Sequence, residues 1–194
     1  MLLLVFVGFQ LLPRHRQGAF HGQIGYLFAL SSIFNVVWLF LWQYGYITVS
    51  VALMFALLAS LVTIYLRLQI GKSKAPFREK LCVHLPFSVY LGWITVASIA
   101  NVATALVSVN WDGFGIGEAT WAVLVIAIAL IITLAVLATR RDIAYGLVII
   151  WALAGITANQ SGNPDVVTTA EVSAVITAIA IIVVGLASKL KRAN

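Results

Sequence analysis

The chain has 194 residues, 62% of them hydrophobic and only 9% charged, with a net charge of +6 and a mean hydropathy of +1.06. Soluble globular domains carry about 25% charged residues, so a water-soluble surface is excluded; the length accommodates six or seven spans of about 20 residues and no separate soluble domain. The basic excess does not indicate a nucleic-acid partner, because all twelve Lys and Arg lie at the ends of the apolar stretches or between and beyond them, where charge sets membrane topology.

In chain order, apolar stretches fall at 1–12, 20–43, 46–68, 83–109, 117–139, 142–158 and 168–188. The pattern predicts an all-α fold, a polytopic transmembrane helical bundle with six full spans and a short N-terminal partial span. Met1 to Leu12 would rise only about 18 Å as a helix, against a hydrocarbon core of about 30 Å. This stretch reads as the end of a longer helix whose start is missing, with Met1 on the outer side. A secretory signal fits less well, because Arg14 and Arg16 follow the apolar run and no basic residue precedes it.

Basic residues occupy alternate turns: Arg14 and Arg16, then Arg67, Lys72, Lys74, Arg78 and Lys80, then Arg140 and Arg141, and finally Lys189, Lys191 and Arg192 in the tail. The intervening turns are uncharged (Gln43 to Tyr46) or hold Asp112 with Glu118 and Asp165 with Glu171. By the positive-inside rule the basic turns and the C-terminus face the cytoplasm, and a plasma-membrane location is expected. Topogenic placement alone accounts for the basic loop of residues 67–80; attraction of anionic headgroups is the alternative reading.

The spans hold almost no ionisable groups. His21 and His84 lie at span ends and no Lys occupies a mid-span position, which disfavours proton pumps, retinal proteins and charge-coupled carriers. No metal-ligand cluster, nucleophile with a matching base, or phosphate loop is present, so neither catalysis nor a cofactor is expected. The single cysteine, Cys82, has no disulfide partner in the chain. Gly113, Gly115 and Gly117, and later Gly162, Asn163 and Pro164, read as turn residues. Ala170, Ala174 and Ala178 form a small-residue row on the last span, suited to close helix contact within the bundle or between subunits.

The six tryptophans and two mid-span asparagines stand out. Trp42, Trp111 and Trp121 sit near helix ends, as interfacial aromatics do. Asn35 and Trp38 share a face of the second segment, and Tyr90, Trp93, Ala97 and Asn101 step along one stripe of the fourth. Two readings stay open on spacing alone: interhelical packing, and a pocket for an aromatic ligand.

These residues resemble the TspO/MBR family, the translocator or tryptophan-rich sensory proteins. Asn35 to Trp42 is similar to the family's Asn-x-x-Trp run in its third helix, and Tyr90, Trp93, Ala97 and Asn101 match the stripe of its fifth helix interval for interval. Pro86 lies four residues before Tyr90 instead of directly before it, which shifts the expected kink by a turn. The resemblance divides the chain into a TspO-like region, 1–109, and three additional transmembrane helices of the same membrane domain, 110–194. It implies a bilayer protein, frequently a homodimer, that binds a porphyrin or other hydrophobic small molecule through Asn35, Trp38, Tyr90, Trp93 and Asn101, in a sensory or regulatory role. The family's first helix and pocket-covering loop have no counterpart here. Two other readings are a transport component for a neutral or lipid-like solute, for which no internal repeat is found, and a ligand-free scaffold subunit.

Overall fold

The computed structural model describes residues 2–11 and 19–193, and every regular element among them is helical. The chain is an all-α transmembrane helical protein, as its composition demands. Two compact units divide it, Met1–Val109 and Asn110–Asn194. The basic turn holding Arg14 and Arg16, and the expected outer placement of Met1, lie outside the described residues.

The first unit contains α1 (Leu2–Leu11), α2 (Ala19–Ile24), α3 (Leu27–Gln43), α4 (Ile47–Arg67), α5 (Phe77–Glu79) and α6 (Leu85–Ser108), with a π turn at Lys80–His84 joining the last two into one continuous helix. Its second apolar stretch is not one span: Gly25, at a φ of +51°, ends α2, and α3 restarts after Tyr26. Only a residue without a Cβ adopts that left-handed conformation cheaply. Near Pro86, where a kink is expected, the helix runs on through a π turn at Lys80–His84 that ends two residues before the proline. Proline offers no N–H to the carbonyl four residues back and crowds it, and the wider π turn accommodates both defects.

In α4 the buried stripe is Ser50, Met54, Leu57, Leu61 and Ile64, and in α6 it is Phe87, Leu91, Ile94, Ser98, Asn101 and Ala105. Both stripes alternate steps of four and three, the heptad spacing that lets antiparallel helices mesh side chains along a seam. Helix α4 packs against both α3 and α6 and so forms the middle of the unit. The short α1 is held by aromatic contacts: Phe6 meets Phe28 of α3 at 5.0 Å and Phe87 of α6 at 4.9 Å between ring centroids, both edge to face.

The second unit contains a 3₁₀ turn at Gly113–Gly115, α7 (Glu118–Arg140), α8 (Ile143–Asn159) and α9 (Pro164–Ala193). Asp112 caps the 3₁₀ turn, and Asp142 caps α8 by accepting from the Tyr145 amide at 3.2 Å. Ala170, Ser173 and Thr177 of α9 are buried within this unit, where α9 packs on α7 and α8. The small-residue row is therefore used at Ala170 inside the unit.

Four helical stretches are long and apolar enough to cross a membrane, Ile47–Arg67, Phe77–Ser108, Glu118–Arg140 and Pro164–Ser188. Leu27–Gln43 and Ile143–Asn159, at 17 residues each, meet the lower limit for a span of about 17 residues. Ile33, Val36, Leu39 and Phe40 expose a continuous apolar surface along α3. In water such a patch would drive aggregation; in lipid it is the ordinary solvent-facing side. Hydroxyl groups within the spans bond to their own helix, as Ser98 does to the Ile94 carbonyl and Thr133 to that of Ala129, each at 2.7 Å.

Candidate functional site

The five residues singled out by sequence all lie on α3 and α6. Two of them meet directly. The Trp38 indole Nε1 donates to Asn101 Oδ1 at 2.9 Å, and Asn101 Nδ2 donates to Ser50 Oγ of α4 at 3.0 Å. Ser50 has a single hydroxyl proton, and the Ile47 carbonyl takes it at 2.7 Å. The 3.3 Å approach of Ser50 Oγ to Asn101 Oδ1 is the longer alternative for that same proton. Three helices are thus tied by one side-chain amide, which is only 2% exposed.

A hydrogen-bonding group facing hydrocarbon has no water to fall back on, so this brace fixes the relative depth of α3, α4 and α6 as well as their contact. Trp38 also packs on Trp42 one turn further, with ring centroids 5.8 Å apart.

Ser50 was not among the residues expected at the site. Its signal is present in the sequence, because it occupies the first position of the heptad stripe of α4, where a polar residue needs a partner across the seam. The Tyr90–Asn101 stripe is not uniformly buried. Trp93 is eight residues from Asn101, which places it roughly 80° away around the helix. Asn101 faces the brace, whereas Trp93 is 45% exposed. Tyr90 is half-buried deeper on the same helix, and its hydroxyl makes no hydrogen bond among the described residues.

Asn35 lies one turn along α3 from Trp38, half-buried, and also makes no hydrogen bond among the described residues. The structure therefore brings two of the five residues together, Trp38 and Asn101, and leaves the other three partly exposed, Asn35 on α3 and Tyr90 and Trp93 on α6. Among the described residues no group of three or more His, Cys, Asp and Glu side chains is gathered closely enough to hold a metal ion.

A second aromatic group lies in the other unit. Trp121 Nε1 donates to the Gly113 carbonyl at 2.9 Å, and the Trp111 ring centroid lies 5.3 Å from both Phe114, edge to face, and Trp121, tilted. These contacts stitch the turn before α7 to the helix itself, consistent with end-of-span aromatics.

Comparison with known proteins adds one match. No curated protein and no solved structure matches the chain. A protein-family model described as TSPO-like protein matches residues 1–183, from α1 through most of α9. That coverage, together with the all-α transmembrane architecture, places this chain in the TSPO-like protein family.

Proposed function

We propose that this chain is a sensory or regulatory membrane protein that binds a hydrophobic planar ligand of the porphyrin class against α3 and α6, without catalysing a reaction. The observation that carries this reading is Asn35, an amide kept on a membrane span with no hydrogen-bond partner among the described residues. Such a group costs stability wherever lipid surrounds it, and a ligand with a polar edge would supply the missing bonds. Tyr90 adds a hydroxyl in the same condition, and Trp93 adds a half-exposed indole face suited to a flat ring system. Trp38 and Asn101 serve as the braced end of this lining. On the same reading the protein forms a homodimer in the plasma membrane, with its basic turns and C-terminus in the cytoplasm.

A titration of the purified protein in detergent with protoporphyrin IX, followed by quenching of tryptophan fluorescence, tests the ligand. Saturable quenching that weakens severalfold in an Asn35→Ala, Trp93→Phe variant supports the site. Quenching that does not saturate, or is indifferent to those substitutions, leaves the ligand-free scaffold reading. That second reading draws its own support from the Trp38 to Asn101 bond, which uses within the protein two groups otherwise available to a ligand.

A further inference from the structure

The brace supplies a ruler for depth. Ser50 and Asn101 are hydrogen-bonded across the antiparallel pair α4 and α6. Seventeen residues lead from Ser50 to Arg67 at the end of α4, and the same count back from Asn101 reaches His84. Helix α4, from Ile47 to Arg67, has 21 residues and is about 31 Å long, which matches a hydrocarbon core of about 30 Å. The membrane boundary at this end therefore falls near Arg67 and His84. Residues 77–83 continue the same helix for about 10 Å beyond it, a distance comparable to the headgroup layer.

What that projecting turn presents is not what topogenesis alone requires. Phe77 is 78% exposed, and Leu81, one turn later, is 49% exposed. Around them Lys72, Lys74, Arg78 and Lys80 are exposed, and none makes an ion pair among the described residues. The one acid of the segment, Glu79, lies instead toward the buried His84, 3.9 Å away.

The preceding loop is pinned and does not trail. Its own Leu68 and Ile70 are buried, Gln69 and Gly71 take left-handed conformations, and the Lys72 and Ser73 amides both donate to the Gln69 carbonyl at 2.9 Å. A charge count in a loop suffices to orient a span. Exposed apolar side chains held among unpaired cations at headgroup depth are the signature of an interfacial contact.

We propose that Lys72, Lys74, Arg78 and Lys80, with Phe77 and Leu81, form a binding surface for the headgroups of anionic phospholipids in the bilayer the protein occupies. The cations take the phosphates, while Phe77 and Leu81 enter the boundary between headgroups and acyl chains.

The test is native mass spectrometry of the full chain released from micelles containing equal amounts of phosphatidylglycerol and phosphatidylcholine. The wild type is expected to retain phosphatidylglycerol in clear preference, and each basic residue removed should lower that preference about fivefold. Lys72→Gln, Lys74→Gln, Arg78→Gln and Lys80→Gln together should abolish it, while Phe77→Ala with Leu81→Ala should lower retention of both lipids and leave their ratio unchanged. A salt series on the wild type needs no variant to fold, and should erode the preference as the screening length shortens from about 10 Å at 0.1 M to about 3 Å at 1 M. Equal retention of the two lipids by the wild type, or a preference untouched in the fourfold variant, overturns the proposal. So does complete displacement of phosphatidylglycerol by inorganic phosphate where chloride at the same ionic strength leaves it bound, which would make the surface a phosphate site and not a lipid one.

Discussion

Trp38 and Asn101 stand 63 residues apart in the chain and are joined by a 2.9 Å hydrogen bond across the interior of the first unit. The bond matters because neither partner has water as an alternative, and because Asn101 also holds Ser50. Asn101→Ala strips a partner from both neighbours and should cost about 1–3 kcal/mol. Trp38→Phe, which removes one donor and keeps an aromatic ring, should cost about 1 kcal/mol. A double-mutant cycle of Trp38→Phe with Asn101→Ala, read by unfolding in mixed micelles, is expected to give a coupling energy of about 0.6–1.7 kcal/mol. Additive effects would mean that the two side chains do not share a bond in the membrane.

Ser50→Ala belongs to the same network but should behave differently. The hydroxyl donates to the Ile47 carbonyl of its own helix, so Asn101 uses it only as an acceptor. Its removal leaves one N–H of Asn101 to find another acceptor, a loss of about 1 kcal/mol. The expected order of unfolding midpoints is wild type, then Ser50→Ala, then Asn101→Ala; a reversal of the last two would place the weight of the brace on α4.

Most of the helical plan was legible because lipid imposes it: apolar runs of span length, separated by short polar or charged turns, leave few alternatives. The break at Gly25 was not, since Gly25 and Gly8 look alike inside apolar sequence and only the left-handed backbone at Gly25 distinguishes them. At the candidate site, the one-turn spacing of Asn35 and Trp38 put both on one side of α3, but spacing along single helices does not say which helix faces which. The heptad on α4 carried that information. A serine amid apolar residues is inconspicuous until the register of Asn101 is known, and spacing does not say that Trp93, at the edge of the same stripe, is half-exposed while Asn101 is buried.

Gly113 is held at a φ of +64°, and a Cβ there would lie 3.1 Å from Trp121 Nε1. Gly113→Ala therefore meets two costs together, a left-handed conformation for a residue with a side chain, at about 1–2 kcal/mol, and displacement of the indole that bonds to the Gly113 carbonyl. The expected result is a lowered unfolding midpoint with a changed near-ultraviolet tryptophan signal. By contrast Gly115→Ala, also at positive φ but with nothing within 4 Å, should show the midpoint loss without the tryptophan change.

Gly146 reports on the packing of the second unit. A Cβ there would approach Ile181 Cδ1 at 3.0 Å and Leu137 Cδ2 at 3.2 Å, so α8 meets side chains from both α9 and α7 at this point. Those atoms are the far ends of flexible side chains, and Gly146→Ala should be accommodated with little loss. Gly146→Leu forces the neighbours apart and should cost about 1–3 kcal/mol by overpacking. Equal midpoints for the two variants, measured by thermal unfolding in detergent, would mean that α8 does not pack so closely.

Asn35 separates the ligand reading from the packing reading through opposite signs in two measurements. An amide without a partner on a span is a burden to the empty protein, so Asn35→Leu should leave the unfolding midpoint unchanged or raise it by the equivalent of about 1 kcal/mol. If a porphyrin edge supplies the missing bonds, the same substitution should weaken protoporphyrin binding by about tenfold, the loss of one hydrogen bond of about 1.4 kcal/mol. Stability gained while affinity is lost marks a residue kept for its ligand. Stability lost with affinity untouched marks a residue kept for packing, and would transfer Asn35 to the same structural role as Asn101.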